Sequence, residues 1–257
     1  MCILCFYIKN YIIYYGDFMD IFVFKRYEYK YLITKDIYLK ISEEIEKYLV
    51  KEKYFFSTIQ TLYFDTDNYR LIRKSIEKPV YKEKLRLRCY GLNKDDGLVF
   101  FEIKKKYDGV VYKRRIKINE QNVYDYFDGK FSLDDSQISK EIDYFNNYYG
   151  NLKPKMLIIY DRYSYVHNES KLRITFDHNI RWRDYDMNLS TSLDGNKLID
   201  DEFMIMEIKS VKSIPFWLAR LLSNYKLYKS SFSKYKEAYI QKMEEENGKN
   251  IRISSIK

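Results

Sequence analysis

The chain of 257 residues is long enough to bury a substantial core, and 46% hydrophobic with 32% charged residues excludes a disordered protein. The net charge of +9 points to an anionic partner, but charge alone does not choose among nucleic acid, a membrane surface and a small polyanion. Cys2, Cys5 and Cys89 exclude a disulfide framework and argue against a zinc site, so we expect a cytoplasmic protein.

The first eighteen residues are apolar but match no targeting or membrane segment. Lys9 and Asn10 interrupt them, so no stretch reaches the ~18–20 apolar residues that a membrane span needs. They also have neither a basic start nor a small-residue cleavage site, as a signal peptide would. Because regular patterning begins only after Met19, we expect residues 1–18 to be an N-terminal extension that does not conform to the domain, and Met19 to be the functional start.

The first predicted strand covers residues 22–33, where residues alternate in character. Glu28 and Lys30 share one of its faces, and tyrosines occupy the other. Thr34 then caps a helix whose isoleucines recur every four residues. Two further elements complete this part of the chain, a strand over residues 58–65 and a short helix over residues 69–76.

Three strongly basic strands occupy the centre of the chain. They are predicted over residues 81–90, 98–106 and 110–118. The Asp108-Gly109 pair between the last two predicts a tight hairpin turn. On each strand, Lys and Arg share one face and apolar residues fill most of the other. The cations are Lys82, Lys84, Arg86, Arg88, Lys104, Lys106, Lys113, Arg115 and Lys117.

The remaining half combines helices with three more strands. Residues 119–149 are predicted to be helical, with breaks at Gly129 and Gly150. The strands cover residues 156–166, 171–177 and 203–209, and two helices begin at Pro215 and Lys236. Neither a repeat nor a linker divides the sequence. We therefore predict one α+β domain over residues 19–245, followed by a frayed tail over residues 246–257.

The recurring basic faces distinguish these strands from those of an ordinary antiparallel sheet, which buries one apolar face and exposes a face of mixed charge. An open sheet of this kind would form a basic plate suited to nucleic acid. A closed sheet would line a channel that requires an anionic guest. The carboxylates within the pattern would neutralise lysines or bind a metal; they are Glu28, Glu102, Asp177 and Glu207.

Nine short motifs then occur in a fixed order. They are RYEYKY (Arg26–Tyr31), LYFDT (Leu62–Thr66), KLRLRCYG (Lys84–Gly91), FFEIKKK (Phe100–Lys106), VYKRR (Val111–Arg115), YDR (Tyr160–Arg162), LRITFD (Leu172–Asp177), MEIK (Met206–Lys209) and SKY (Ser233–Tyr235). Each is weak alone, but together they resemble the polyphosphate polymerase domain of the vacuolar transporter chaperone (VTC) complex, one of the triphosphate tunnel metalloenzymes. The resemblance covers roughly residues 25–239.

This resemblance implies a closed, eight-stranded antiparallel β-tunnel flanked by helices. It also implies a polymerase that transfers the terminal phosphoryl group of ATP onto polyphosphate with Mn²⁺ or Mg²⁺. Glu207 matches the family's metal-coordinating glutamate, and Lys113 is less secure than the other matches because Arg115 shares its face. The positions implied to bind phosphate are Lys30, Arg86, Arg88, Lys104, Lys113, Arg162, Arg173, Lys209, Ser233 and Lys234.

One departure from the wider superfamily favours the polymerase branch. Triphosphatases and cyclases of the superfamily begin with Glu-x-Glu-x-Lys, whereas this chain has Arg26, Glu28 and Lys30. The sequence also lacks the regulatory SPX domain and membrane helices of the fungal complex, so it resembles a stand-alone form. Its two histidines, His167 and His178, are expected to be structural or exposed, since phosphoryl transfer needs mainly positioning and charge neutralisation.

Two alternatives remain beside the polymerase. The residues do not decide whether phosphate or water attacks, so a hydrolase of tripolyphosphate or nucleoside triphosphates in the same tunnel is the first. The second is a non-catalytic module that binds polyphosphate or nucleic acid, because basic strands with interleaved tyrosines would permit stacking on bases. Against this last alternative, most aromatic residues are predicted to lie opposite the cations, as a core requires.

Overall fold

Antiparallel pairing organises most of the chain. The computed structural model describes residues 7–8, 11–12, 27–94, 97–108, 110–211 and 213–246. A small hairpin joins β1 (Tyr7–Ile8) and β2 (Tyr11–Ile12). The main sheet contains β3 (Tyr27–Thr34), β4 (Val50–Asp65), β5 (Tyr81–Tyr90), β6 (Leu98–Tyr107), β7 (Val110–Asn119), β8 (Lys153–His167), β9 (Leu172–Arg183), β10 (Asn196–Lys197) and β11 (Phe203–Ser210).

Six helices accompany these strands in the described ranges. They are α1 (Lys35–Ile45), α2 (Arg70–Ile76), α3 (Glu120–Phe127), α4 (Gln137–Tyr149), α5 (Phe216–Asn224) and α6 (Lys234–Glu246). The α+β prediction is therefore confirmed. None of these helices combines the length and apolar character that crossing a membrane demands. The predicted start at Met19, strand residues 22–26 and tail residues 247–257 lie outside the described residues.

The predicted closure of the sheet is wrong. The strands follow the order β3-β11-β9-β8-β4-β5-β6-β7, with β10 beside β9, so the sheet has nine strands. Its end strands, β3 and β7, do not pair with each other in the part of the chain that the structure describes. The sheet nevertheless curls. This curvature brings Glu28 Oε2 on β3 within 3.9 Å of Lys104 Nζ on β6. The ends thus approach through charged side chains instead of backbone hydrogen bonds.

Helices cover the apolar outer face of the curled sheet in two places. Leu85 and Leu87 of β5 pack with Val123 of α3 and Ile142 of α4 in one fully buried cluster. On the other side, the apolar faces of β3, β9 and β11 pack against α1 and α5. Burial of each such aliphatic side chain contributes about 1.5–3 kcal/mol. These four helices pack on the outer face and not on the inner face, which carries the cations.

Helix α6 packs against the inner face. Its Tyr235 stacks on Tyr63 of β4 with ring centroids 4.3 Å apart, and Ala238 is fully buried in the same cluster as Trp182. The Tyr235 hydroxyl donates a 2.9 Å hydrogen bond to Asp65 Oδ2, while the Asp65 carboxylate also accepts from backbone amides at the start of α2. Asp65 therefore joins the end of β4 to both helices.

Several local predictions are confirmed. Thr34 caps α1 by accepting a hydrogen bond from the Ile37 amide. Tyr107 pairs with Val110, so only two residues connect β6 to β7, and Asp108 has the positive φ of 41° that such a turn requires. Strands β4 and β9 are longer than predicted, and β4 is bulged between Lys51 and Phe56. The extra length of β4 carries one acidic residue, Glu52, which pairs with Arg173 of β9.

Candidate functional site

Strand register assembles the predicted site on the inner face. On one half, Arg86 lies opposite Glu102, and Lys104 opposite Lys113. On the other half, Glu207 lies opposite Lys30, and Lys209 opposite Arg173. Directly opposite residues of antiparallel strands share a face, so the alternation seen in the sequence is reproduced across neighbouring strands. With Arg162 of β8, which lies opposite Asp177, the inner face carries the predicted cations of seven strands.

Ion pairs show that these cations surround four carboxylates. Glu102 is fully buried and lies 2.9 Å from Arg86 Nε and 3.5 Å from Lys113 Nζ. Arg115 Nη1 lies 3.8 Å from Glu102 Oε1, the same oxygen that Lys113 approaches, so both cations neutralise this carboxylate. The ambiguity between these two residues in the sequence is therefore a real feature of the site.

A second buried carboxylate, Asp177, connects the strands to α6. Asp177 is fully buried and receives two hydrogen bonds from Arg162, at 2.5 and 2.8 Å. Lys234, the first residue of α6, donates to Asp177 Oδ2 at 2.5 Å. The neighbouring Ser233 hydroxyl lies 3.4 Å from Lys84 Nζ. The start of α6 thus brings Ser233 and Lys234 among the strand cations, where the sequence motif placed them.

Arg173, like Arg162, is held by both oxygens of one carboxylate of the protein. Its guanidinium forms two hydrogen bonds, each of 2.7 Å, with both oxygens of Glu52. Glu52 lies in the first part of β4, which the sequence did not predict to be a strand. Arg88 shows no such commitment: its half-buried side chain has a guanidinium Nε without a hydrogen-bond partner. The structure therefore distinguishes a paired arginine from one that is available to a ligand.

The surrounding cations keep the carboxylates ionised. Burial alone would raise the pKa of Glu102, but Arg86, Arg88 and Lys113 outweigh it and lower the pKa to about 2. The pKa of Glu28 is also lowered to about 2, since Lys104, Lys209 and Lys30 overcome its burial. Arg162 and Lys234 hold the pKa of Asp177 well below its usual range in the same way.

The pKa values of the buried lysines are also lowered, which for a lysine disfavours the charged form. Burial lowers the pKa of Lys84 to about 8, and the charges of Lys104 and Lys30 act in the same direction. Burial also lowers the pKa of Lys104 and of Lys209, where the guanidinium of Arg162 contributes. The site consequently disfavours its own positive charges when it is empty. A polyanion would relieve that cost, and this is the electrostatic property expected of a phosphate-binding channel.

Sequence reasoning missed Lys84 and two tyrosines as part of the site. Tyr63 accepts a 3.4 Å hydrogen bond from Arg86, and Lys84 Nζ lies 5.8 Å from its ring centroid. Burial alone would raise the pKa of Tyr63, but Arg86 and Lys84 lower it to about 7. Tyr160 lies beneath Lys234, 4.3 Å from its Nζ. The available signal was same-face spacing, because Lys84 precedes Arg86 by two residues and Tyr160 precedes Arg162 by two.

The chemistry of the donor set fits a divalent metal held together with phosphate. Among the described residues, no three acidic, His or Cys side chains form a metal-binding group. Instead, Lys30 Nζ lies between two carboxylates, 3.7 Å from Glu28 and 3.9 Å from Glu207. Mg²⁺ is commonly held by one or two carboxylates plus substrate phosphates. Glu207 and Glu28 therefore form a suitable half-site, in which an ammonium now occupies the position between the carboxylates.

The solved structures similar to this chain share little of its sequence. A candidate adenylate cyclase from Bacillus halodurans is 12% identical, with 91% of this chain and 96% of that chain covered and a TM-score of 0.43. A candidate adenylyl cyclase from Hippeastrum with a dominant triphosphatase activity is 15% identical, with 88% and 98% covered and a TM-score of 0.46. A candidate adenylate cyclase from Vibrio parahaemolyticus is 14% identical, with 83% and 97% covered and a TM-score of 0.44.

Family comparison gives the more direct result. No curated protein sequence matches the chain. The VTC domain family model, however, matches residues 25–242. This range includes β3 to β11, α1 to α5, most of α6 and every side chain of the inner face discussed above. Since the match extends over far more than half of the sequence, the chain belongs to the VTC domain family.

Proposed function

We propose that this protein is a metal-dependent polyphosphate polymerase that transfers the terminal phosphoryl group of ATP onto a growing polyphosphate chain. Membership of the VTC domain family supports a protein that acts on triphosphates. The single observation that carries the proposal is the inner face itself. It concentrates Lys and Arg from seven strands and α6, and burial lowers the pKa of several of these lysines. A flexible chain of phosphoanhydrides is the kind of guest that such a face stabilises.

The residues divide into two ways of holding phosphate. Arginines offer a planar fork that grips two oxygens. Arg88 could take this role directly, whereas Arg86 and Arg162 would exchange their carboxylate partners for phosphate oxygens. Lysines act as compact charges, and Lys104, Lys209 and Lys234 would neutralise the remaining oxygens. Binding would draw these cations away from Glu102, Glu28, Asp177 and Glu207, which hold them in the free protein. The carboxylates thus position the cations until a triphosphate arrives.

Phosphoryl transfer requires the bond between the γ-phosphorus and its bridging oxygen to break as a bond to an acceptor oxygen forms, with ADP as the leaving group. The cations around the inner face would position donor and acceptor and neutralise charge on the transferred group. A metal held by Glu207 and Glu28 would supply additional neutralisation of the phosphate oxygens. A terminal phosphate as acceptor extends a polymer, whereas water as acceptor gives hydrolysis.

The decisive experiment separates these outcomes by product size. Purified protein is incubated with ATP and Mn²⁺, and the products are resolved on a polyacrylamide gel stained for polyphosphate, with ADP and phosphate measured in parallel. A ladder of long products supports the polymerase. Stoichiometric ADP and free phosphate without polymer would replace it with a triphosphatase, and binding without turnover would indicate a non-catalytic module.

Two variants show whether any activity belongs to this protein and not to a contaminant. Arg88→Gln removes a guanidinium that is half-buried in the inner face, so product formation should fall at least tenfold. Lys130→Gln removes an exposed cation that pairs with Asp128 on the surface, and product formation should stay at the wild-type rate. Equal activity in both preparations would contradict catalysis at the inner face.

A further inference from the structure

An aromatic pair interrupts the basic inner face at one end of β5 and β6. Tyr90 is the last residue of β5 and follows Arg88 by two positions, so both share a face. Phe100 lies directly opposite Arg88 in the register, and Lys117 lies opposite Phe100 on β7. These two rings therefore continue the inner face outward from the buried Arg86–Glu102 pair. They lie where most other positions of the alternation carry charge.

The two rings are not part of the hydrophobic core. Tyr90 is 55% exposed, and Phe100 is half-buried, whereas their chain neighbours Cys89, Val99 and Phe101 fill the core behind them. Tyr90 and Phe100 meet edge to face, with centroids 6.3 Å apart and planes at 89°. Core packing thus accounts for the adjacent residues but not for two aromatic side chains on the charged face.

Cations surround this pair in a manner that favours a planar ligand. The Arg115 guanidinium carbon lies 4.1 Å from the centroid of Phe100, and Lys117 Nζ lies 5.9 Å from it. Tyr90 also lies close enough to β8 to affect Arg162. Burial lowers the pKa of the Arg162 guanidinium, but Asp177, Tyr160 and Tyr90 raise it. Rings and guanidinium planes are the groups on which nucleobases stack.

The position relative to the phosphate-binding cations identifies the ligand class. Arg88 and Tyr90 are separated by two strand residues, or ~6.6 Å. A nucleoside triphosphate whose phosphates contact Arg86, Arg88 and Arg162 would extend its nucleoside towards this end of the face. We propose that Tyr90, Phe100 and Arg115 form a stacking site for the nucleobase of a nucleoside triphosphate donor. This inference rests on the proposed function, because it requires the phosphates of the donor to occupy the inner face.

Stacking also sets the expected selectivity. Every nucleobase has a π-face, so a platform of rings and a guanidinium is tolerant of base identity. The site would therefore favour ATP and GTP similarly, and both over inorganic tripolyphosphate. A donor without a base would lose this contact while keeping every phosphate contact. Comparing the affinity for a nucleotide with the affinity for tripolyphosphate therefore measures the contribution of the stacking site alone.

Binding without turnover tests the inference. Dissociation constants for ATP, GTP and inorganic tripolyphosphate are measured by calorimetry in EDTA for the wild type, Tyr90→Ala and Phe100→Leu. Both variants should weaken ATP and GTP binding about tenfold, within the range given by loss of one stacking contact, and leave tripolyphosphate binding unchanged. Tyr107→Ala serves as the matched control, because Tyr107 is a 56% exposed tyrosine at the other end of β6.

The outcomes separate this inference from the proposed function. Equal weakening of all three ligands, or no weakening of the nucleotides, would overturn the stacking site while leaving a triphosphate-binding face in place. A wild-type protein that fails to bind tripolyphosphate both in EDTA and with Mn²⁺ would overturn the proposed function, and the stacking site with it. Retained tripolyphosphate binding in each variant also demonstrates that the variant is folded.

Discussion

Replacement of Glu102 by Gln tests how the cationic face is stabilised in the free protein. Glu102 is fully buried, and its pKa is lowered from 4.5 to about 2 because Arg86, Arg88 and Lys113 outweigh the cost of burial. Since protonated Glu and Gln have nearly the same shape, this difference estimates the cost of losing the charge. One pKa unit corresponds to 1.36 kcal/mol, so Glu102→Gln should lower the free energy of unfolding by about 3 kcal/mol at pH 7.

Urea unfolding followed by circular dichroism measures this difference, and a thermal melt should show a midpoint lower by roughly 6–12 °C. The effect has a defined pH dependence. A carboxyl whose folded pKa is depressed stabilises the protein fully above its unfolded pKa of 4.5 and loses that contribution as pH falls towards about 2. The gap between wild type and variant should therefore be constant from pH 7 to 5.5 and shrink to about 2 kcal/mol at pH 3.5.

A polyanion should reverse the loss, because its phosphates supply the charge that Glu102 no longer provides. Saturating tripolyphosphate should accordingly raise the midpoint of Glu102→Gln more than that of the wild type. Glu44→Gln is the matched control: Glu44 pairs with Lys47 on the exposed surface, and its loss should cost less than about 1 kcal/mol. The reasoning fails if Glu102→Gln and Glu44→Gln have equal stability at pH 7.

Three further predictions concern titration, metal binding and α6. Burial lowers the pKa of Lys84 to about 8, so this lysine loses its charge as pH rises from 7 to 9 and tripolyphosphate binding should weaken. Lys84→Arg should reduce the slope of the logarithm of the binding constant against pH by about one proton, and an unchanged slope would contradict this role of Lys84. Glu207→Gln should abolish Mn²⁺-dependent turnover but leave metal-free ATP binding equal or tighter, because a negative charge is removed; near-normal manganese titration of turnover would refute this role. Tyr235→Phe keeps the ring stack but removes the hydrogen bond to buried Asp65, so urea unfolding should show a loss of about 1–3 kcal/mol, and wild-type stability would disprove the link.

The sequence predicts the two faces of the strands well, because alternation is a local property of extended backbone. Lys84, Arg86 and Arg88 lie on the inner face as their spacing predicts, and the residues between them fill the outer core. The same holds for Glu207 and Lys209 on β11. A charge pattern repeated on strand after strand is therefore sufficient to identify a shared cationic face.

Features that depend on contacts between distant parts of the chain could not be predicted from the sequence. The pairing of Arg173 with Glu52 joins residues 121 positions apart, and it relies on a β4 extension with weak alternation. The open edge between β3 and β7 likewise results from how far the whole sheet curls, which no single strand encodes. Tyr63 acquires its environment only when α6 packs on the inner face. These relations arise from tertiary packing and could not be read from local periodicity.

The poorly solvated lysines of the inner face have a consequence for how the protein can be improved or can evolve. Lys84, Lys104 and Lys209 are each partly buried and lie close to other cations, so replacing one of them relieves repulsion in the unliganded fold. Selection for heat resistance alone would therefore enrich substitutions at these positions. The same substitutions would remove the charges that hold phosphate. A laboratory screen for robust variants should for this reason include a polyanion during heating, so that survival and function are selected together.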